Sequence, residues 1–208
     1  MIRAGIVMTA LTGLLLLSAC ANPAADKSKA VTGEAASVSP EGVKGEKFNI
    51  TPENSKIEFV GAKVTGSHNG SFGKFAGAVE YAGQPEKSRV TISIDMESVT
   101  TDTPDLTKHL KTPDFFDVAK FPQATFTSTE IKPGGDKGAS HTVTGNLQLH
   151  GITKSVSFPA NITVSPNEIG VESDFAINRK DFGINYAGAA DNLIRDLVAL
   201  KLTIHAKK

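Results

Sequence analysis

Apolar residues return at every second position in one stretch of this chain after another. The sets are Val90, Ile92, Ile94 and Met96; Val143, Leu147 and Leu149; Val156, Phe158, Ala160, Ile162 and Val164; Ile169, Val171, Phe175 and Ile177; and Val198, Leu200, Leu202 and Ile204. Successive side chains of a β-strand point to opposite faces, so this period builds strands with one apolar and one wet face. Less regular candidates lie at 56–64, 72–81 and 124–131, and turn-forming clusters at 82–88, 132–138 and 165–168 separate the runs. The count comes to roughly eight antiparallel strands. One interruption stands out at 103–111, where Thr103 is placed to cap and Pro104 to start a short helix. The fold class expected is all-β, either a sandwich or a closed barrel.

Periodicity does not say whether the apolar face points inward or out into lipid. The chain has no Trp and only two tyrosines, Tyr81 and Tyr186, which is too little material for the aromatic girdles of an outer-membrane barrel. An apolar interior is therefore expected, and eight strands is the size at which a barrel is either filled by side chains or holds one ligand. The inward sets are mostly β-branched and medium aliphatics. Such residues leave an axial space or simply interdigitate, and protein interiors are normally filled.

The first residues read as an export signal: Arg3, an apolar run from Ala4 to Leu17, then Ser18 and Ala19. The run is too short to span a bilayer. Leu17-Ser18-Ala19-Cys20 resembles a bacterial lipobox, which implies cleavage before Cys20 and acylation of that cysteine. Cys20 is the only cysteine in the 208 residues, so a mature lipidated chain has no thiol for disulfides, zinc-thiolate sites or cysteine nucleophiles. Ala21 in place of an aspartate implies, in a Gram-negative cell, an outer-membrane anchor with the domain facing the periplasm. Residues 20–45 lack aromatics and are rich in Ala, Ser, Gly, Lys and Glu, and are expected to be a flexible tether. Without Arg3 the chain carries 21 basic against 22 acidic residues, which argues against nucleic acid as a partner.

The stretches at 108–131 (KHLKTPDFFDVAKFPQATFTSTEI), 143–162, 176–184 (AINRKDFGI) and 195–208 resemble the successive signatures of the YceI-like family, exported proteins described as binding polyisoprenoids or related lipids. The resemblance covers residues 46–208. It implies an antiparallel eight-stranded lipocalin-like barrel with a short helical insertion around 103–120, and an apolar tunnel that takes a polyisoprenoid or other long-chain lipid. The residues expected to line the tunnel are Phe59, Phe75, Val79, Ile92, Ile94, Phe115, Phe116, Phe121, Phe126, Leu147, Leu149, Phe158, Ile162, Phe175 and Leu200. Lys108, His109, Lys111 and Arg179 stand in non-strand segments beside the signatures and are candidates for a ligand head group. At least two of Phe115, Phe116 and Phe121 are expected to turn inward and close one end, with Asp114 and Asp117 holding the connection by local hydrogen bonds. Five glycines, Gly61, Gly66, Gly70, Gly73 and Gly77, depart from the family's first hairpin and suggest a looser one.

Two other classes of function compete with lipid carriage. A fully packed barrel would make the chain an interaction module that docks a periplasmic protein. An enzyme would need a constellation, and the best on offer is Asp102, Asp105 and His109 near the helix. Capping and the helix dipole give those aspartates a structural purpose. No nucleophile elbow, phosphate-cradling loop or HExxH spacing is present, and neither a cofactor nor a metal is expected.

Overall fold

A computed structural model describes residues 22–38 and 42–208. Cys20 and the residues expected to form a leader before it lie outside the described residues. In chain order the strands are β1 (Ser28–Lys29), β2 (Val31–Gly33), β3 (Glu46–Ile50), β4 (Lys56–Ala62), β5 (Ser67–Phe72), β6 (Phe75–Tyr81), β7 (Arg89–Asp95) and β8 (Val99–Thr101). Helix α1 (Pro104–Leu110) then leads to β9 (Gln123–Pro133), β10 (His141–Leu149), β11 (Ile152–Val164) and β12 (Glu168–Asn178), and a small hairpin of β13 (Gly188–Ala189) and β14 (Asn192–Leu193) precedes β15 (Leu197–Lys207).

These strands close an antiparallel barrel of eight staves. Three staves are bent: β3 continues into β4, β5 into β6, and β7 into β8 through a short 3-10 turn at Met96–Ser98. Pairing of β12 with β15, from Glu168↔Lys207 to Asn178↔Leu197, closes the ring. The alternating sets face inward, as period two requires. Met96 departs from its expected strand: it sits in the 3-10 turn, with the Asp95 carboxylate accepting from the Glu97 amide at 3.0 Å, and is buried there.

The two ends of the barrel differ in kind. At the lower end are short hairpin turns at 82–88, 134–140 and 165–167. At the upper end are α1, the irregular stretch 111–122, the His150-Gly151 turn and the long connection 179–196. Thr103 occupies the N-cap position of α1 as expected, but its side chain makes no capping bond and instead contacts Asp102 and His68.

The expectation of a loose first hairpin is corrected at Gly70. A Cβ at Gly70 would lie 2.2 Å from the Phe59 ring, so the glycine makes room for an inward aromatic from the facing strand. Gly145 does the same for Phe126, at 2.4 Å, where the pairing of β10 with β9 shifts register.

The expected free tether is corrected as well, over residues 22–36. β11 and β12 pair only from Asn161↔Glu172 to Val164↔Ile169 and then part. The reason lies in Pro159: its carbonyl faces β12, accepting from Ser173 Oγ at 2.5 Å, so its missing N–H would have faced β12 too. The opened seam exposes two strand edges, and residues 28–33 enter it. β1 pairs parallel with β12 at Ser28↔Phe175, and β2 pairs antiparallel with β11 at Val156↔Thr32. Ala30 donates to the Ala176 carbonyl at 2.8 Å and packs on the core. Side chains fasten this strap: Ser28 to Asp136 at 2.6 Å, Thr32 to Asp181 at 2.7 Å, and Lys27 to Asp174. A sequence too polar to fold alone is ordered here because two unpaired edges supply its hydrogen bonds.

Candidate functional site

A cavity of about 250 Å³ runs inside the barrel, and its wall is apolar throughout. It is bounded by the inward faces of the staves and, at the upper end, by residues of α1 and the irregular segments. The interior is therefore not fully packed. The packed-barrel expectation is set aside on this observation.

Of the lining residues expected from the sequence, Phe59, Val79, Ile92, Ile94, Phe115, Phe116, Phe126, Leu147, Leu149, Phe158, Ile162, Phe175 and Leu200 border the cavity. Phe75 does not: it is buried in the lower core with Phe48 and Ile50. Phe121 does not either. Its ring lies 4.9 Å from His150, against Gly151 and under the Lys120 ammonium, outside the cavity. Sequence reasoning had already set Val90, Val171, Ile177 and Val198 on the inward faces without naming them as lining, and they border the cavity. It missed Phe182, Ile184 and Ile194, which come from the upper connection and carry no period to mark them.

The lid is an aromatic and aliphatic cluster. Phe115, Leu110 and Ile184 are buried with Phe59 and Val99, and Phe116, Leu149 and Ile194 pack on them while only half-buried. The Phe115 ring stands 4.9 Å from His109 and 5.3 Å from Tyr186. Asp114 holds this segment through its carboxylate on His109 Nε2, at 2.8 Å. Asp117 acts through its backbone instead: at φ 46° its carbonyl accepts from the Lys120 and Phe121 amides.

The head-group candidates separate. Lys108 pairs with Asp105 in solvent at 3.6 Å, His109 with Asp114, and Lys111 with Glu97 at 2.7 Å; none of the three borders the cavity. Arg179 does border it, and is 5% exposed. Its guanidinium donates to the carbonyls of Ile184 at 2.5 Å, Arg195 at 3.2 Å and Ile194 at 3.4 Å, and meets Asp196 at 3.4 Å. Burial pushes its pKa below the ordinary arginine value, and Asp196 opposes that shift. With its donors directed at backbone carbonyls, Arg179 presents its hydrocarbon stem to the cavity and acts as the hub that holds the connection 183–196.

Asp102, Asp105 and His109 do not assemble. Asp102 accepts from the Asn69 amide at 3.0 Å and faces His68 Nδ1 at 2.9 Å, contacts that hold its carboxyl below the usual carboxylate range. Among the described residues, no group of three or more His, Cys, Asp and Glu is placed to hold a metal ion. What the arrangement does chemically is exclude water from an apolar volume that offers a guest no polar partner.

Comparison with known proteins agrees with this architecture. A family model described as YceI-like domain matches residues 48–206. UPF0312 protein YE1254 of Yersinia enterocolitica is 38% identical over 122 residues, 55% of this chain, and the match spans 62% of that relative's own length. Among solved structures, BcnA of Burkholderia cenocepacia aligns with a TM-score of 0.65 at 22% identity, over 76% of this chain and 99% of its own. A polyisoprenoid binding domain from Saccharophagus degradans, implicated in plant cell wall breakdown, aligns with a TM-score of 0.61 at 18% identity, over 78% of this chain and all of its own.

Proposed function

The chain belongs to the YceI-like domain family, and on that premise we propose that its barrel carries a polyisoprenoid or another long-chain lipid in the apolar cavity. The observation that carries this reading is the wall itself. An engineered apolar cavity of about 150 Å³ already takes up benzene, so an apolar space of this size suits a slender hydrocarbon segment and disfavours water. The polyisoprenoid binding domain of similar fold supports the choice of ligand class. The task is carriage, storage or sequestration rather than catalysis.

In this reading Cys20 bears the lipid anchor, and the barrel works in the bacterial envelope, held at the outer membrane and facing the periplasm. The lipobox-like residues before Cys20 support the anchor. Native mass spectrometry of the full-length protein taken from membranes tests carriage. A co-purifying lipid is expected, and Leu147→Trp, which fills the cavity from the wall, should remove it while leaving the fold intact. A clean protein mass, with no uptake of added polyprenyl phosphate, would sink the reading.

A further inference from the structure

We infer that the upper end of the barrel docks on the bilayer that holds the anchor, with Val64, Leu193 and Tyr186 entering the lipid interface and the lid facing it. The inference rests on the lipid anchor at Cys20 proposed above, and it adds an orientation and a contact surface to that reading.

The strap removes the slack from the supposed tether. Residues 28–33 are fixed in the seam, so the chain available to reach the membrane ends at Asn22, not at Gly45. Its path before the seam has a direction. Lys27 is held at Asp174, whereas Ala24, wholly buried, packs over Ala176 and Ala199 and against Val60 and Leu197. β1 runs parallel to β12, so traced backward the chain first descends to Lys27 at Asp174 and to Asp26, whose carbonyl accepts from Lys137 Nζ. The turn before it then returns the chain to Ala24, whose neighbours lie within two residues of the upper ends of β12, β15 and β4. An extended chain covers about 3.4 Å per residue, so covalent geometry keeps Cys20 within about 14 Å of Ala24.

Three exposed apolar side chains meet at the upper end, whereas Val31, 70% exposed on the strap, and Val164 at the lower end stand apart from one another. Val60 leads in four residues to Val64 at the β4–β5 tip, and Leu197 lies four residues from Leu193 on β14. The two tips are joined: the Val64 amide donates to the Leu193 carbonyl at 3.1 Å, and Ile194 donates to Ala187 at 2.9 Å. Val64 is 54% exposed, Leu193 49% and Tyr186 37%, and Tyr186 packs against the lid through Phe115 and His109. The lower end offers Val164 amid charge, with Lys208 paired to Glu46 and Lys207 to Glu168. Large side chains exposed on joined loop tips around a cavity mouth suit an interface that is apolar on one side and wet on the other. Acyl chains on Cys20 already suffice for retention, so the tips are needed for orientation. Docked in this way, a lipid reaches the lid without crossing water.

The chain has no Trp, so a single introduced Trp reports its own surroundings. Full-length Leu193→Trp, Val64→Trp and Val164→Trp proteins, extracted from membranes, are reconstituted into phosphatidylethanolamine–phosphatidylglycerol vesicles with brominated acyl chains. Flotation comes first: the parent protein should float with the vesicles and Cys20→Ser should not. A parent that stays in solution removes the anchor and the docking together. In floating samples, Trp at 193 and 64 should be quenched and blue-shifted, and Trp at 164 should match its bromine-free control. Floating protein in which 193 and 64 are quenched no more than 164 overturns the docking alone and leaves anchor and lipid carriage standing. Should Leu193→Trp fail to fold, Val64→Trp on the other hairpin decides.

Discussion

The lower and upper ends of this barrel solve the same closure problem by different means. Below, the staves converge on side chains that fill the space: Phe48 is 1% exposed, Ile169 2%, and Ala206 is fully buried, and none of the three borders the cavity. Above, the staves stay apart and inserted chain covers the gap, with Phe116, Leu149 and Ile194 only half-buried around the cavity. A filled end supplies stability, because every methylene there has neighbours on all sides. A covered end gives up part of that packing and gains volume. The difference teaches that stability is concentrated at the filled end, while the proposed binding site runs from the covered end down to Ile50 and Ile204.

The largest effect should come from emptying the filled end. Phe48→Ala removes a ring packed edge-on to Tyr81 and is expected to cost about 3–5 kcal/mol in denaturant unfolding. Phe116→Ala enlarges a cavity that already exists and removes a half-buried ring, so about 1 kcal/mol is expected. Its larger effect should be on lipid retention, read by native mass spectrometry. Equal losses of stability at the two positions would break the comparison.

Arg179 tests whether the covered end is held by polar contacts. Arg179→Met keeps the stem that faces the cavity but abandons three carbonyls and Asp196. Hydrogen bonds from a charged donor are worth about 1.5–3 kcal/mol each, and leaving buried acceptors unpaired adds to the loss, so a fall of about 2–3 kcal/mol is expected after relaxation. Amide exchange should quicken over 183–196 and leave β3 and β6 unchanged. A uniform increase across the barrel would mean that Arg179 supports the whole fold and not one end.

How far the sequence foretold these ends follows from what each is made of. Strands at both ends were legible, since Ile169 to Ile177 and Val198 to Ile204 alternate with almost no breaks, and period two follows from strand geometry alone. The lid was half legible: the crowd of phenylalanines at 115–126 gave it away, yet nothing distinguished Phe121, which a turn at Asp117 swings onto Gly151, from Phe115 and Phe116. Arg179 read as a head-group candidate because its partners, the carbonyls of Ile184, Ile194 and Arg195, leave no mark in side-chain identity. The strap was illegible for a similar reason. Its order depends on a missing N–H at Pro159, about 130 residues away, rather than on its own composition.

The seam joining the two ends is the place where the smallest effect is expected, and pH reaches it. Asp136 accepts from Ser28 Oγ first and then from the Lys137 amide, and both bonds hold its carboxyl below the ordinary aspartate value of 3.8. A group whose pKa is lowered by folding contributes stability that is full above the unfolded value and is lost as pH falls through the folded one. The strap should therefore hold at neutral pH and loosen in acid, beginning below 3.8. Asp136 is solvent-exposed, so the change stays local: amide protection of residues 28–33, corrected for intrinsic exchange, should fall while that of β12 and β15 persists. Ser28→Ala should produce part of the same loosening at neutral pH and reduce its pH dependence, the Lys137 amide remaining on Asp136. Protection of the strap that is unchanged both in Ser28→Ala and in acid would mean that the opened edges of β11 and β12 hold it by backbone pairing alone. In that case the seam would belong with the filled end of the barrel rather than with the covered one.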